Sequence, residues 1–282
     1  MKKNQLQTKL LILLFIAGLC LLLYPGISNY WNSFRQSTAI NHYFKIAGEI
    51  DEKECERIIK EAKEYNVSLT ERDNPYALTH TQEELYPDLL NISEDGMIGI
   101  VDIPGIGVTL PIYHGTSATV LQKAIGHLEW TSLPVGGENS HCVLSGHRGL
   151  PSRKLFTDLD KIVEGDVFYL KVLNEALAYK VDQILIVLPE DLTPLEIING
   201  EDYCTLVTCT PYGVNTHRIL IRGHRIENPE DDLLTSVAAD AVIIEPLLVA
   251  PILFAGILLI LIIVSVIIPK RKKRSEETEN EE

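Results

Sequence analysis

The sequence predicts a mainly β domain, a closed β-barrel with short peripheral helices, carried between two membrane segments. Short β-prone runs separated by turn residues fill positions 95–227, and only brief helical stretches interrupt them. A long apolar segment lies near each end of the chain. With 282 residues and 46% apolar composition, the chain is long enough for one sizeable domain in addition to these segments.

The second apolar segment, residues 246–269, predicts a C-terminal transmembrane helix. It carries no charged side chain apart from the flanking run 270–274, which is entirely basic. About 20 apolar residues, each rising about 1.5 Å, cross the hydrocarbon core of a bilayer. A core helix of a globular domain would show a polar face at this length.

The first apolar segment, residues 10–24, follows a basic start and predicts either an uncleaved anchor or a cleaved signal peptide. No small-x-small cleavage site follows it, and extension to Ile27 makes it long enough to span, which favours the anchor. Both segments have their Lys and Arg flanks toward the chain ends. The positive-inside rule therefore predicts a two-pass membrane protein with both termini cytoplasmic and residues 28–245 outside.

The predicted division of the chain follows changes in composition. Apolar residues within 51–62 recur with helical spacing, whereas 71–94 is rich in turn residues and has little periodicity. The predicted regions are an N-terminal membrane segment (1–27), a helical region (28–70), a loop (71–94), the barrel (95–227), a linker (228–245), a C-terminal transmembrane helix (246–269), and a basic cluster with an acidic tail (270–282).

Within the barrel region, the runs 97–103 and 108–113 flank a Pro-Gly pair and predict a β-hairpin. A short helix is predicted near 118–124. The further predicted strands are 141–145, 166–172, 176–187, 203–208 and 217–225.

Charge and cysteine content exclude several classes of function. The net charge of −14 argues against nucleic-acid binding, which needs a basic surface. The five cysteines form no CxxC, and no Cys/His group has zinc spacing. We therefore expect no disulfide framework, no metal site and no cofactor.

One cysteine stands in a pattern typical of a reactive thiol. Cys209 lies where a β-prone run gives way to a turn, and His217 and Arg218 open the next run. A nearby cation lowers the pKa of a thiol and exposes the thiolate. Alternation along a strand sends His217 and Arg218 to opposite faces, so only one shares the face of Cys209. His147 also follows a β-prone run, so strand ends can bring a nucleophile, an acid/base and a cation together.

Each of these residues alone would equally suit a structural role, since free cysteine often packs as a small buried hydrophobe. Together with their flanks they resemble the sortase family of cysteine transpeptidases. TLVTC (205–209) is similar to the family's TLxTC motif, SGHR (145–148) resembles its histidine motif, and Arg218 occupies the position of its essential arginine. The resemblance implies an eight-stranded barrel, with Cys209 as nucleophile, His147 as general acid/base, and Arg218 holding the substrate and oxyanion.

The implied reaction is acyl transfer from a sorting signal similar to Leu-Pro-x-Thr-Gly. A thiolate attacks a backbone carbonyl, the histidine protonates the leaving glycine amine, and a second amine resolves the thioacyl enzyme. The implied partners are pilins or other surface proteins and an acceptor amine, which is either a pilin lysine or, as an alternative, a peptidoglycan amine. A non-catalytic, membrane-tethered binding module would be expected to lack one of the three site residues, and all three are present.

The C-terminal membrane segment and the loop ahead of the barrel resemble the class C, pilin-polymerising sortases. That class carries a lid with an Asp-Pro-aromatic motif. Here the corresponding residues are Asp73, Asn74, Pro75 and Tyr76, so the acid stands one place earlier than the motif requires. The resemblance predicts that Tyr76 blocks the cleft and that Asn74 or Asp73 anchors the lid; the alternative is an ordinary proline-containing surface turn.

Two further cysteines lie at the same spacing from a predicted site residue. Cys142 lies five residues before His147, and Cys204 lies five residues before Cys209. If their strands are parallel neighbours, as the resemblance implies, the two side chains face one another. They would form either a disulfide or, as we favour, two buried free thiols.

Overall fold

The computed structural model describes residues 2–150, 153–228 and 256, with the side chains of residues 2–9 and 12 left out. The described residues fall into two compact units, one within residues 2–30 and 256, the other within residues 31–228. The predicted C-terminal transmembrane helix, the basic cluster and nearly all of the predicted linker lie outside the described residues.

Helix α1, Lys2–Glu49, is continuous through Pro25, so the predicted boundary at residue 27 is not a break in the helix. Its section Leu13–Glu49 has a mean hydropathy of 1.6 over its most apolar stretch, none of which is buried. In the part of the chain that the structure describes, this is the one helix long and apolar enough to cross a membrane. A signal sequence near an N-terminus also meets these criteria of length and hydropathy.

Helix α2, Glu52–Leu69, confirms the helical spacing seen in the sequence. Asp51 caps it by accepting a hydrogen bond from the Glu54 amide at 3.0 Å, and acidic residues occupy the first turn, where they favour the helix dipole. Its buried face consists of Cys55, Ile59, Ala62, Tyr65, Asn66 and Leu69. This face joins the same apolar cluster as the barrel interior.

The segment 71–94, predicted as a loop, contains one short helix. Helix α3, His80–Leu85, begins with a capping box in which Thr79 and Gln82 each bond the other's backbone amide. The loop prediction was wrong here because six residues are too few for a helical apolar period to become visible.

Eight strands close into a barrel, which confirms the predicted fold class. Around the barrel the order is β1-β2-β3-β4-β7-β8-β6-β5. The strands are β1 (Met97–Ile103), β2 (Val108–His114), β3 (Ile125–His127), β4 (Ser140–Ser145), β5 (Val167–Val172), β6 (Glu175–Val187), β7 (Asp202–Thr210) and β8 (His217–Ile226).

The predicted hairpin is confirmed as β1 and β2, and the predicted short helix is α4, Ala118–Lys123. Strand β3 was not predicted, because its three residues carry no readable alternation. Three 3₁₀ turns complete the described elements: Pro104–Ile106, Leu159–Lys161 and Thr193–Leu195.

Strands β4 and β7 are parallel neighbours, as the resemblance implied. Their register pairs Cys142 with Cys204 inside the barrel, and both thiols are buried and free. Burial raises the pKa of the Cys204 thiol well above its usual range. The two cysteines therefore belong to the apolar interior, on the opposite face of the sheet from the odd-numbered residues of β7.

Candidate active site

Cys209 lies one residue before the end of β7, directly across from Arg218 on β8. Directly paired residues of antiparallel strands project from the same face of the sheet. The next pair joins Thr210 to His217. Of the two basic residues that open β8, Arg218 therefore shares the face of Cys209 and His217 does not. Cys209 and Arg218 are both half-buried.

This shared face is the outside of the barrel. Even-numbered Cys204 and Leu206 of β7 belong to the interior cluster, whereas Val207 belongs to a separate one. We call that separate group, Val143, Leu195, Val207 and Leu220, the outer cluster. Cys209, two residues beyond Val207, continues the row of side chains over the outer cluster.

His147 follows β4 on the other side of Cys209. The parallel register of β4 and β7 ends with Ser145 opposite Val207. It continues through Gly146, whose amide donates to the Val207 carbonyl at 3.1 Å and whose carbonyl accepts from the Thr208 hydroxyl at 2.7 Å. One further step along this register brings His147 level with Cys209.

Gly146 makes this approach possible. A Cβ atom at that position would lie 2.5 Å from the Ile125 side chain and 2.7 Å from the Phe156 ring. The absence of a side chain lets the chain pass over the barrel interior just before His147. The backbone carbonyl of His147 then accepts a hydrogen bond from the Phe156 amide at 3.2 Å.

The Arg218 side chain is held by its own turn. Its Nη1 donates to the carbonyls of Asn215 at 3.2 Å and His217 at 3.0 Å. In the described part of the chain both of these bonds use Nη1, and the guanidinium carries three further N–H groups, on Nε and Nη2. The three predicted site residues therefore come from three neighbouring strand ends, with Cys209 in the middle.

Asn74 and Tyr76 form a compact turn with each other. The Asn74 side-chain oxygen accepts a hydrogen bond from the Tyr76 amide at 3.0 Å. Asp73 is exposed. Among the described residues, neither Asp73 nor Asn74 hydrogen-bonds to the three predicted site residues.

The contact that ties this turn to the barrel comes from Arg72, which the sequence analysis did not single out. Its guanidinium donates to the carbonyls of Leu69 at 2.9 Å, Ala77 at 3.0 Å and Trp130 at 2.9 Å. The first two close the turn at its base, and the third crosses to the loop between β3 and β4. No sequence pattern signals such a role, because all three acceptors are backbone carbonyls.

Tyr76 packs beside the outer cluster. Its ring meets Trp130 edge-on, with 5.5 Å between the ring centroids, and its hydroxyl donates to the Glu196 carboxylate. That hydrogen bond raises the pKa of the Tyr76 hydroxyl. Trp130 in turn packs against the outer cluster. Tyr76 thus contacts the barrel through Trp130 and Glu196.

A cavity of about 360 Å³ opens next to this contact. Its lining includes Arg72, Pro75 and Trp130 and, from the loop between β6 and β7, Leu195 and Glu196. The segment around Pro75 therefore forms one wall of a partly apolar cleft beside the outer cluster.

A buried histidine, His141, holds the part of the cavity lining that comes from the loop between β6 and β7. Its Nδ1 donates to the Glu196 carbonyl at 2.8 Å, and its Nε2 accepts from the Thr205 hydroxyl at 2.7 Å. Burial lowers the pKa of His141 to about 4, so the ring is neutral at pH 7. This role of His141 was not predicted, because nothing in the sequence around it distinguishes it from any other strand histidine.

The geometry agrees with what comparison with known proteins finds. Residues 101–226 match the family model of the sortase domain. The crystal structure of sortase C1 from Streptococcus agalactiae is 50% identical with a TM-score of 0.66, and the match covers 68% of this chain and 100% of that one. This chain belongs to the sortase family.

Other sortases match over a similar length. The structure of sortase C from Streptococcus pneumoniae is 43% identical with a TM-score of 0.62, over 69% of this sortase and 100% of that chain. Sortase A of Streptococcus agalactiae serotype III is 27% identical over 221 residues, 77% of this sortase and 83% of the relative. Sortases are cysteine transpeptidases that act on surface proteins with Leu-Pro-x-Thr-Gly-type signals, so the predicted enzyme class is confirmed.

Proposed function

We propose that this sortase is a membrane-anchored, pilin-polymerising enzyme of class C type that uses Cys209, His147 and Arg218. The observation that carries the proposal is the position of Cys209 between Arg218, its direct partner across β8, and the end of β4, where His147 follows Gly146. A nucleophile, an acid/base and a cation on adjacent strand ends are the groups that acyl transfer through a thioester requires.

In the proposed reaction, the Cys209 thiolate attacks the threonine carbonyl of the sorting signal. Arg218 stabilises the charge on the carbonyl oxygen, because its guanidinium is held by the turn at Nη1 and presents further donors. His147 gives a proton to the glycine amine as the Thr–Gly bond breaks. An acceptor amine then loses its proton to His147, attacks the thioester, and releases the thiolate.

We propose a pilin lysine as the acceptor amine, and a peptidoglycan amine as the alternative. The similarity to sortase C1 and sortase C structures, at 50% and 43% identity, supports the pilin assignment. The segment ahead of the barrel supports it as well, since its proline and aromatic residue pack beside the outer cluster.

We further propose that residues 73–76 act as a lid. In this proposal Arg72 and Tyr76, rather than Asp73 or Asn74, anchor the lid to the barrel. The support is the hydrogen bond from Arg72 to the Trp130 carbonyl and the contacts of Tyr76 with Trp130 and Glu196.

For the membrane, we propose that α1 anchors the enzyme and that residues 28–245 face the outside, with both termini in the cytoplasm. The exposed apolar section of α1 supports an N-terminal anchor. The positive-inside rule supports the orientation. The proposed second span, 246–269, lies outside the described residues.

The test is intact mass of the full chain in detergent micelles after incubation with a Leu-Pro-x-Thr-Gly peptide. We expect a thioacyl adduct in the wild type and none in Cys209→Ala. His147→Gln and Arg218→Gln should each slow adduct formation by at least about a hundredfold. Equal adduct formation in wild type and Cys209→Ala would contradict the proposed nucleophile.

A second arm identifies the acceptor amine. Once the adduct has formed, a lysine-containing pilin peptide and a branched peptidoglycan peptide are offered at equal concentration. Faster resolution by the lysine peptide is the expected result. Faster resolution by the peptidoglycan peptide would replace pilin polymerisation with anchoring to the cell wall.

A further inference from the structure

Arg148, the residue after His147, has a largely buried charged side chain next to the proposed catalytic groups. Only 9% of its side chain is exposed. Its Nη1 donates to the Thr210 hydroxyl at 3.3 Å, and its Nη2 forms an ion pair with the Asp160 carboxylate. The guanidinium also lies over the Tyr212 ring, 5.8 Å from the centroid.

These contacts join the two strand ends that carry the chemistry. Thr210 follows Cys209 on β7, so one hydrogen bond connects the residue after His147 with the residue after Cys209. Among the described hydrogen bonds, those of Gly146 are the preceding ones that link the end of β4 to β7. Without Arg148, the chain beyond Gly146 would have no described side-chain tie to β7.

The tie lies on the side of the sheet away from the reaction. Thr210 is buried and alternates in direction with Cys209. Arg148 therefore contacts β7 on the face opposite to Cys209, where it does not compete with a bound peptide for the thiol. The Asp160 carboxylate offsets the charge of Arg148. Arg148 therefore contributes to the site by holding its geometry and adds little positive potential.

The contact with Tyr212 adds a second connection to the same place. Tyr212 belongs to the turn between β7 and β8, and its ring also lies against Gly149, where a Cβ atom would come within 2.8 Å. Gly149 has φ +78°, a conformation that favours glycine. The loop after His147 and the turn after Cys209 are thus packed against each other on both sides of Arg148.

We infer that Arg148 is a positioning residue that sets the separation of His147 and Cys209 through its hydrogen bond to Thr210 and its ion pair with Asp160. This inference rests on the proposed function of His147 and Cys209. Misplacement of a catalytic group by about 1 Å costs about a hundredfold in rate. A positioning residue therefore acts on the chemical step and leaves peptide binding nearly unchanged.

The test compares steady-state cleavage of a Leu-Pro-x-Thr-Gly peptide by the full chain and its variants in detergent. Arg148→Gln should lower kcat by about tenfold to a hundredfold and leave KM within about twofold. Arg148→Lys, which keeps the positive charge and one donor nitrogen, should recover part of the loss.

Arg222→Gln is the matched control. Arg222 forms an ion pair with Asp182 on the same sheet, at 2.9 Å, and 17% of its side chain is exposed. It pairs with Thr205, four residues from Cys209 along β7. Its loss should lower the melting temperature to a similar extent as Arg148→Gln, with kcat within about twofold of the wild type.

A wild-type kcat in Arg148→Gln, equal losses of kcat in the two arginine variants, or a change in KM alone would overturn the inference. Should Arg148→Gln fail to fold, Thr210→Val takes its place in the test, because it removes the hydroxyl that accepts from Arg148 and keeps the shape of the side chain. An unchanged kcat in Thr210→Val overturns the inference too. Wild-type enzyme that forms no thioacyl adduct would overturn the proposed function as well. A reactive wild type with a fully active Arg148→Gln would overturn this inference alone.

Discussion

The lid proposal makes a quantitative prediction for Arg72→Gln. Of the three hydrogen bonds that the Arg72 guanidinium donates, one crosses from the lid to the barrel, at the Trp130 carbonyl. A hydrogen bond from a charged group contributes about 1.5–3 kcal/mol. Because Arg72 is half-buried, the lower value applies. A loss of about 1.5 kcal/mol makes the open lid about tenfold more populated.

The assay compares two reagents of different size. Cys209 is already half-exposed, and the described lid contacts lie at Trp130 and Glu196. Opening the lid should therefore admit a peptide rather than uncover the thiol. In Arg72→Gln, acylation by subsaturating Leu-Pro-x-Thr-Gly peptide should accelerate by about tenfold, with alkylation by iodoacetamide within about twofold.

Arg57→Gln serves as the control, because Arg57 lies on the exposed side of α2 and pairs with Glu54 and Glu61. Both of its rates should equal those of the wild type. An unchanged rate of acylation in Arg72→Gln would refute the anchor. An equal acceleration of acylation and alkylation would show that the lid covers the Cys209 thiol itself, which the contact geometry argues against.

Two predictions concern stability. Burial lowers the pKa of His114 and His141 to about 4. Between pH 6.5 and 4 the unfolded chain therefore binds protons that the folded chain does not bind. As the pH falls through this range, the free energy of unfolding decreases by up to roughly 3 kcal/mol per histidine. Thermal unfolding of the full chain followed by tryptophan fluorescence should show this fall, with the exposed-histidine variant His80→Gln behaving as wild type; a melting temperature independent of pH would contradict it. Cys204→Ser should lower the free energy of unfolding by about 1–3 kcal/mol, because it places a hydroxyl in the barrel interior, and should leave acylation by the folded protein unchanged. Lost acylation in folded Cys204→Ser, measured by intact mass, would show that the interior thiols take part in the reaction.

Much of the barrel was predictable from local patterns. Seven of the eight strands follow from β-prone runs bounded by turn residues, as the hairpin of β1 and β2 illustrates. The helix α2 follows from its apolar spacing and its acidic first turn. These signals are local, because each depends on residues within one or two turns or strands of each other.

The elements that were missed are short. Strand β3 and helix α3 span three and six residues, fewer than a reliable period needs. Both become regular through their neighbours: β3 pairs with β2 and β4, and α3 begins with a capping box. Tertiary pairing therefore makes β3 regular, whereas the local capping box begins α3.

The candidate site was predictable in its residue types and not in its arrangement. A thiol at a strand end, followed by two basic residues, indicated a reactive cysteine, but alternation left open whether His217 or Arg218 shared its face. The resemblance favoured Arg218, and the register of β7 and β8 pairs Arg218 with Cys209. Register depends on the whole sheet, which a single strand does not specify.

The sequence by itself determined the chemistry available to this sortase: one thiol at a strand end, its motif neighbours, an apolar segment at the N-terminus and the succession of strands. The tertiary structure alone decided what supports them. Arg72 reaches a carbonyl 58 residues away, Arg148 reaches Thr210, 62 residues away, and His141 joins Glu196 to Thr205. Such contacts join groups that are distant along the chain and mostly end on backbone oxygens or hydroxyls, which every sequence offers in excess. Folding selects among them, because only the closed barrel brings particular donors and acceptors within hydrogen-bonding distance.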